Sequence, residues 1–189
     1  MIVDQAALPK MREHVCSFFD GHASSEDRWI EGPMAEIAPW FSVLVFAPGP
    51  RTPLWTYVSL GASTLPNPTD SALEFVISTE KPTRRAVELL TIVSYYHRDY
   101  GLGVGHTAGL GEPWLPGSTC EHILVSLPYP FGPDLEICNL ENQHIHFLWF
   151  LPITEAEREL AVEHGLEALE QRFDAAGIRY WLPRRASAV

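Results

Sequence analysis

The sequence is poor in several features that would point directly to a chemistry. Its three cysteines, Cys16, Cys120 and Cys138, include no CxxC pair, which argues against a thiolate zinc site and against a disulfide framework. We expect all three to be buried free thiols in a reducing compartment, because free cysteine is among the most buried residue types. Basic residues are also few. Thirteen lysines and arginines stand against 24 acids, and no basic stripe of the kind that binds nucleic acid is present.

Long apolar runs are absent too. No segment has the length needed to span a bilayer, and the N-terminal MIVDQAALPKMREH lacks the apolar core of a signal peptide, so we expect a cytoplasmic protein.

The net charge of −11 favours solubility, and it would also attract a basic protein partner. Abundant aromatic residues (6 Trp, 6 Tyr and 9 Phe) argue against disorder. We therefore expect one domain over 1–189, with its core in 30–176 and a tail from 177.

Motifs for catalysis are missing as well. There is no G-x-S-x-G and no HExxH, and Cys138 lies in an apolar run where a thiol is inert. The glycine-rich segment 101–109 follows a helical pattern, whereas a phosphate-binding loop follows a strand and ends in Gly-Lys-Ser/Thr. We expect the segment 101–117, with six glycines and two prolines, to be an irregular structural loop. These failed searches predict a protein that is not an enzyme and needs no cofactor.

Two of the eight histidines form a weak candidate metal site. His144 and His146 stand two residues apart in a strand-like run and therefore point to the same face. A third ligand could come from His122, His106 or Glu136. Two same-face histidines also arise without any metal, so no metal is assigned. A metal-dependent hydrolase is one of three functional hypotheses, and the other two, given below, are forms of protein binding.

Hydrophobic periodicity predicts an α+β fold, with a mixed, largely antiparallel sheet packed by two main helices. Strand patterns cover the runs 41–46, 55–60, 73–77, 122–127, 135–140 and 144–151. The last of these runs, HIHFLWFL, is apolar on both faces and is typical of a central strand. A weaker helical pattern near the N-terminus places Met11, Val15, Phe18 and Phe19 on one face.

Two long helices are predicted. The first opens after Thr83 and ends at Gly101. Its apolar residues at helical spacing are Ala86, Leu89, Leu90, Val93, Tyr96 and Tyr100. The second opens at the capping-box sequence Thr154-Glu-Ala-Glu157 and ends at Gly177. Its expected buried face is Val162, Leu166, Leu169 and Phe173. Residues 183–189 are expected to form a frayed tail.

The outer face of the second helix is strongly acidic. Four carboxylates at i, i+4, i+8 and i+11 form one ridge: Glu159, Glu163, Glu167 and Glu170. Like charges at that spacing cost roughly 0.2–0.5 kcal/mol per pair, so the ridge mildly destabilises the helix. A solvated outer face is the plainer interpretation, and a docking surface for basic residues of a partner is the functional one.

Trp55 and Tyr57 are a second candidate contact. They share one face of the predicted strand 55–60, because side chains alternate along a strand. Such a pair could line a groove in which a partner adds an extended segment to a sheet edge. Packing in the core explains the two residues equally well.

Several segments, taken in order, resemble the suppressor-of-fused domain family. Trp55-Thr-Tyr-Val-Ser-Leu-Gly-Ala-Ser63 is similar to the family's aromatic strand and glycine-serine turn. Further similar segments are Leu73-Glu-Phe-Val-Ile77, the helix from Ala86 to Tyr100, Gly105-His-Thr-Ala-Gly-Leu110, Leu127-Pro-Tyr-Pro-Phe-Gly132, Leu135-Glu-Ile-Cys138, Phe147-Leu-Trp-Phe-Leu-Pro-Ile153 and the acidic segment ending at Glu170. The resemblance spans about residues 30–176, and the order of the segments makes it specific.

The resemblance implies the fold of the amino-terminal domain of the animal protein, which clamps a short peptide of a transcription factor between two domains. The chain is too short for the second animal domain, so the resemblance does not imply that clamp. It does imply the role that the bacterial single-domain relatives have. These relatives serve largely as immunity proteins, each of which neutralises a secreted polymorphic toxin, often a nuclease. The expected function is therefore binding to a toxin, and a general peptide-binding module that uses a sheet edge is the alternative.

Overall fold

The computed structural model describes residues 2–189. It divides into two compact units, which are described separately below. The first contains the residues up to Leu102 together with Leu127–Trp149, and the second contains Gly103–Ser126 and Phe150–Val189. None of the helices in residues 2–189 is both long and apolar enough to cross a membrane.

The described residues form eight strands and six α-helices. The strands are β1 (Ser24–Asp27), β2 (Ser42–Phe46), β3 (Trp55–Leu60), β4 (Leu73–Thr79), β5 (Thr107–Gly109), β6 (His122–Ser126), β7 (Ile137–Asn139) and β8 (His144–Ile153). The helices are α1 (Leu8–Phe18), α2 (Pro33–Ile37), α3 (Arg84–Tyr100), α4 (Pro133–Glu136), α5 (Glu155–His164) and α6 (Leu166–Ala176). The α+β class is confirmed, and so is the mixed, largely antiparallel sheet.

In the first unit the strands lie in the order β1-β2-β3-β4-β8, and β7 also pairs with β8. The strands β1 to β4 are antiparallel neighbours, whereas β4 and β8 run parallel, with Val76 opposite Trp149. Helices α1 and α3 both pack against β3. All seven residues of β4 are buried, so both faces of this strand are covered.

Strand β8 is central, as its unbroken apolar run predicts. In the first unit it has β4 on one side and β7 on the other. Its last residues belong to the second unit, where the order is β8-β6-β5 and Ala108 of β5 lies opposite Ile123 of β6. The predicted strand 135–140 is wrong at its first two residues, which belong to α4, and the loop 101–117 contains the short β5.

A buried carboxylate holds the glycine-serine turn that follows β3. Glu74 of β4 has no exposed surface, and it accepts hydrogen bonds from the Ser59 hydroxyl at 2.5 Å and from the Ser63 hydroxyl at 2.8 Å. The backbone N–H groups of Gly61, Ala62 and Ser63 donate to it at 2.9, 3.2 and 3.0 Å. Burial raises the pKa of Glu74, and these donors act in the opposite direction. The Gly-Ala-Ser sequence of the turn is explained by this cluster.

In the second unit, Thr154 and Glu157 form the predicted capping box at the start of α5. The helix does not continue to Gly177, however. It stops at Gly165, whose φ of 86° and ψ of 169° are readily adopted only by glycine, and α6 begins at the next residue. Leu169 is buried as predicted, but Val162 is 65% exposed and does not belong to the buried face.

The last residues are not a frayed tail. Arg185 is 8% exposed and binds the Glu157 carboxylate, and the backbone N–H of Ala188 donates to the same carboxylate at 2.8 Å. The hydroxyl groups of Ser187 and Thr154 form a further hydrogen bond of 2.9 Å. The prediction failed because the partner of this segment lies 28 residues away along the chain, where no local pattern reveals it.

The cysteines differ from one another. Cys120 and Cys138 are buried free thiols, as expected, and burial raises the pKa of both. Cys16 is exposed on α1, so the expectation that it is buried is wrong.

Candidate partner-binding surfaces

The predicted acidic ridge lies on two helices and not on one. Glu159 and Glu163 are exposed one turn apart on α5, and Glu167 is exposed on α6. Glu170 is half-buried and accepts a hydrogen bond of 3.0 Å from the Ser126 hydroxyl. A continuous line of four carboxylates is therefore wrong, because the chain turns at Gly165.

The arginine of α5 forms its ion pair with Glu155 and not with Glu159 or Glu163. Arg158 is ion-paired with Glu155, whose pKa it lowers by hydrogen bonding. Val162 is exposed between Glu159 and Glu163, so apolar surface lies within the acidic face. We call these three residues, with Glu167 of α6, the acidic helical surface. Carboxylates around a small apolar centre suit a basic protein partner.

Trp55 and Tyr57 do not lie at a sheet edge. Strand β3 pairs with β2 on one side and with β4 on the other, so a partner strand cannot be added along it. Tyr57 is 2% exposed, and its hydroxyl accepts a hydrogen bond of 2.8 Å from the backbone N–H of Thr83. Trp55 is half-buried. Partner contact by these residues stays a prediction, and their position favours a role in packing.

The open edges are elsewhere. In the first unit β1 is the last strand of the sheet order and β7 pairs only with β8, and in the second unit the last strand is β5. Strand β1 has four residues, and its Glu26 forms an ion pair of 2.9 Å with Arg12. Short, charged edge strands are typical of edges that resist pairing with another chain.

Aromatic and apolar side chains form a groove beside α3 that sequence reasoning missed. A cavity of about 280 Å³ is lined by nine residues that include Trp29, Glu31, Met34, Ile92 and Tyr95, and we call it the α3 groove. Ile92 is 47% exposed there. Tyr96 and Tyr100, predicted with the apolar residues of α3, are 39% and 67% exposed. The spacing of Ile92, Tyr96 and Tyr100, at i, i+4 and i+8, is the signal that could have revealed an exposed stripe.

The histidines do not assemble a metal centre. His144 is exposed, and the Nδ1 atom of His146 lies 3.6 Å from a carboxylate oxygen of Glu136. In the second unit, His122 pairs with Glu155 at 3.0 Å. Across residues 2–189 there is no group of three or more His, Cys, Asp or Glu side chains that could hold a metal ion.

Comparison with known proteins identifies the family. The family model of the suppressor of fused protein (SUFU) matches residues 39–186, most of the chain. The chain belongs to the suppressor-of-fused family. The match includes Arg185 and therefore extends beyond residue 176, where the sequence analysis expected the resemblance to end.

Solved structures agree with this suppressor-of-fused assignment. A putative SUFU homolog from Neisseria gonorrhoeae is 32% identical, with a TM-score of 0.84 and 98% of each chain covered. A chain of the Sufu-Fu complex crystal structure is 13% identical, with a TM-score of 0.71 over 96% of this chain and 92% of that one. Drosophila Suppressor of Fused is 16% identical, with a TM-score of 0.59 over 78% of this chain and 42% of that one. The last two likenesses show the fold alone.

One curated relative carries a functional name. The immunity protein YqcF of Bacillus subtilis (strain 168) is 30% identical over 69 residues, which are 36% of this chain and 36% of that protein. The match thus spans about a third of that relative's length. Together with the family assignment, it indicates a protein-binding domain.

Proposed function

We propose that this suppressor-of-fused domain is an immunity protein of the cytoplasm that binds and neutralises a cognate polymorphic toxin and has no catalytic activity of its own. The observation that carries the proposal is the acidic helical surface, on which Glu159 and Glu163 of α5 are exposed with Val162, and Glu167 is exposed on α6. The similarity to the immunity protein YqcF supports the same role.

Electrostatics explains why such a surface suits a toxin. An enzyme that cleaves nucleic acid needs a basic site to receive phosphates, and an acidic inhibitor that covers this site blocks it. The net charge of −11 would attract a basic domain over distances near the Debye length, which is about 8 Å at physiological salt. Charge of this kind raises association rates more than it raises affinity.

The test is co-expression with the product of the adjacent reading frame. We expect a tight 1:1 complex on size-exclusion chromatography and restored growth of cells that express the toxin. A toxin from an unrelated locus is the control and should be neither bound nor neutralised. Absence of both the complex and the rescue would contradict the proposal.

The alternative function, a general peptide-binding module, is distinguished by the same material. An array of short peptides tiled along the neighbouring product would show one linear motif if strand pairing at an open edge were the binding mode. A folded toxin domain bound through a surface should give a complex as an intact domain and no such motif.

A further inference from the structure

We infer that the α3 groove is the docking site for a lysine- or arginine-bearing segment of a partner protein. The inserted side chain would lay its aliphatic stem on Trp29, Ile92 and Tyr95 and bring its cation to Glu31. The inference rests on the proposed function only in that the partner is a protein. The groove belongs to the first unit, whereas the acidic helical surface belongs to the second.

The composition of the groove is that of a binding surface. Its walls combine Trp29 and Tyr95 with the aliphatic side chains of Ile92 and Met34. Tryptophan and tyrosine are enriched where partners bury anchor side chains. A second hollow of about 130 Å³ shares Trp29 and Met34 and continues to Ile30, which is 78% exposed. Because the two hollows share these residues, together they offer a longer surface than either one alone.

The charge at the groove is negative once the internal ion pairs are considered. Three arginines of α3 are already paired with carboxylates: Arg84 with Asp27 at 3.4 Å, Arg85 with Glu88 at 2.7 Å and Arg98 with Asp99 at 3.2 Å. The nine residues that line the α3 groove include the acidic Glu31 and Glu88 and no basic residue. Glu88 is paired with Arg85, so the exposed Glu31 is the carboxylate that a positive ligand would meet. Arg28 lines only the second hollow, where its guanidinium donates a hydrogen bond of 2.8 Å to the Pro39 carbonyl.

The aromatic walls already bind cations of the chain itself. The guanidinium carbon of Arg84 lies 5.4 Å from the centre of the Trp29 ring, and that of Arg98 lies 5.3 Å from the centre of the Tyr95 ring. Both distances are within the range of cation–π attraction. Trp29 and Tyr95 are thus rings that attract basic side chains, and Ile92 beside them in the groove offers apolar surface for the stem of a ligand.

Selection from a library of random short peptides tests the inference without the toxin. We expect enrichment of peptides in which lysine or arginine adjoins an apolar residue. Binding of the enriched peptides, measured by fluorescence anisotropy at low salt, should weaken about tenfold or more in Ile92→Lys, which removes apolar surface and repels a basic ligand. Replacement of the carboxylate in Glu31→Gln should weaken it by roughly two- to fivefold. The matched control is Val104→Lys, at an exposed apolar residue of the other unit that belongs to neither proposed surface, and it should leave binding unchanged.

Several outcomes would overturn the inference. They are a failure to enrich any peptide, enrichment of acidic or uncharged peptides, and equal binding by the Ile92→Lys protein. A dimer of the unchanged protein that Ile92→Lys dissociates would assign the groove to self-association instead. A toxin complex that fails to form would count against the proposed function alone, because the peptides report on the groove independently.

Discussion

The Glu157 carboxylate and the Arg185 guanidinium form a buried bidentate ion pair, with both N–O distances at 2.6 Å. Their side chains are 0% and 4% exposed. The same carboxylate completes the capping box with Thr154 and accepts from the Ala188 N–H. Burial acts to raise the pKa of Glu157, but the hydrogen bonds from Arg185 and the two backbone groups outweigh it and hold the pKa below its usual value. One residue thus starts α5 and fastens the C-terminal segment.

Removal of one partner of this pair should destabilise the protein strongly. In Arg185→Met the Glu157 charge stays buried without a counter-charge, so we expect a loss of about 3–5 kcal/mol in the free energy of unfolding. Urea unfolding followed by circular dichroism measures it. Truncation of the exposed arginine in Arg158→Ala should cost roughly 1 kcal/mol or less.

A double-mutant cycle separates the ion pair from the helix cap. Glu157→Gln keeps an acceptor for the cap while it removes the charge. The double variant of Arg185→Met and Glu157→Gln should be more stable than the sum of the two single effects predicts, because no uncompensated charge remains. Strict additivity would show that the two residues act independently.

His97 should make stability fall in acid. The ring is fully buried, its Nδ1 accepts a hydrogen bond of 2.8 Å from the Leu102 N–H, and burial lowers its pKa to about 4. The unfolded chain takes up a proton near pH 6.5, whereas the folded one does so near pH 4. The stabilisation is therefore complete above pH 6.5 and is lost as the pH falls toward 4, by at most about 3 kcal/mol.

The variant His97→Asn isolates this contribution, because asparagine can still accept the Leu102 N–H. We expect the variant to lose less stability than the unchanged protein between about pH 7 and pH 4.5, in urea titrations at each pH. His164, whose side chain is 62% exposed, provides the control, and His164→Asn should follow the unchanged protein. Parallel pH curves for all three proteins would exclude His97 as the source.

Glu74 should not tolerate an amide. Every donor around it points at the carboxylate, so Glu74→Gln would bring an NH₂ group against other donors and leave one of them unsatisfied. We expect a loss of about 2–3 kcal/mol and faster amide exchange at Gly61 and Ser63. Glu80→Gln, at an exposed position after β4, should change neither quantity. An unaffected turn in Glu74→Gln would show that the cluster does not hold it.

If the acidic helical surface receives the toxin, charge should act on the association rate. The double substitution of Glu159→Lys and Glu163→Lys should slow association about tenfold or more at low salt and change dissociation less. Surface plasmon resonance against the purified toxin domain gives both rates. Glu13→Lys makes a like change at an exposed residue of α1 and should have a smaller effect. An association rate that does not change with salt concentration would contradict an electrostatic role of this surface.

Most strands and helices were predicted correctly, because the patterns that indicate them involve residues that are close together in the sequence. Alternation identified β3, the apolar run identified β8, and the Thr154–Glu157 box marked the start of α5. The end of α5 at Gly165 was missed because an isolated glycine is tolerated inside a helix. The sequence around Gly165 does not show that this residue takes a positive φ.

The candidate sites were predicted less well, because they depend on pairs that are distant in sequence. The acidic residues Glu159 and Glu163 were found correctly as exposed, since helical spacing and charge suffice for that. The α3 groove joins Trp29 to Tyr95, and the burial of Arg185 depends on Glu157. Neither pairing follows from periodicity.

We expect strand β8 to tolerate neither insertions nor deletions among members of the family. Its side chains alternate between two covered faces from Phe147 to Ile153, all of them buried. Insertion or deletion of a single residue within β8 would turn every later side chain to the opposite face. Homologues should therefore keep the spacing of 144–153 unchanged and gain or lose residues in connections such as the loop between β3 and β4. A gap inside this strand in an alignment would mark an alignment error more often than an evolutionary event.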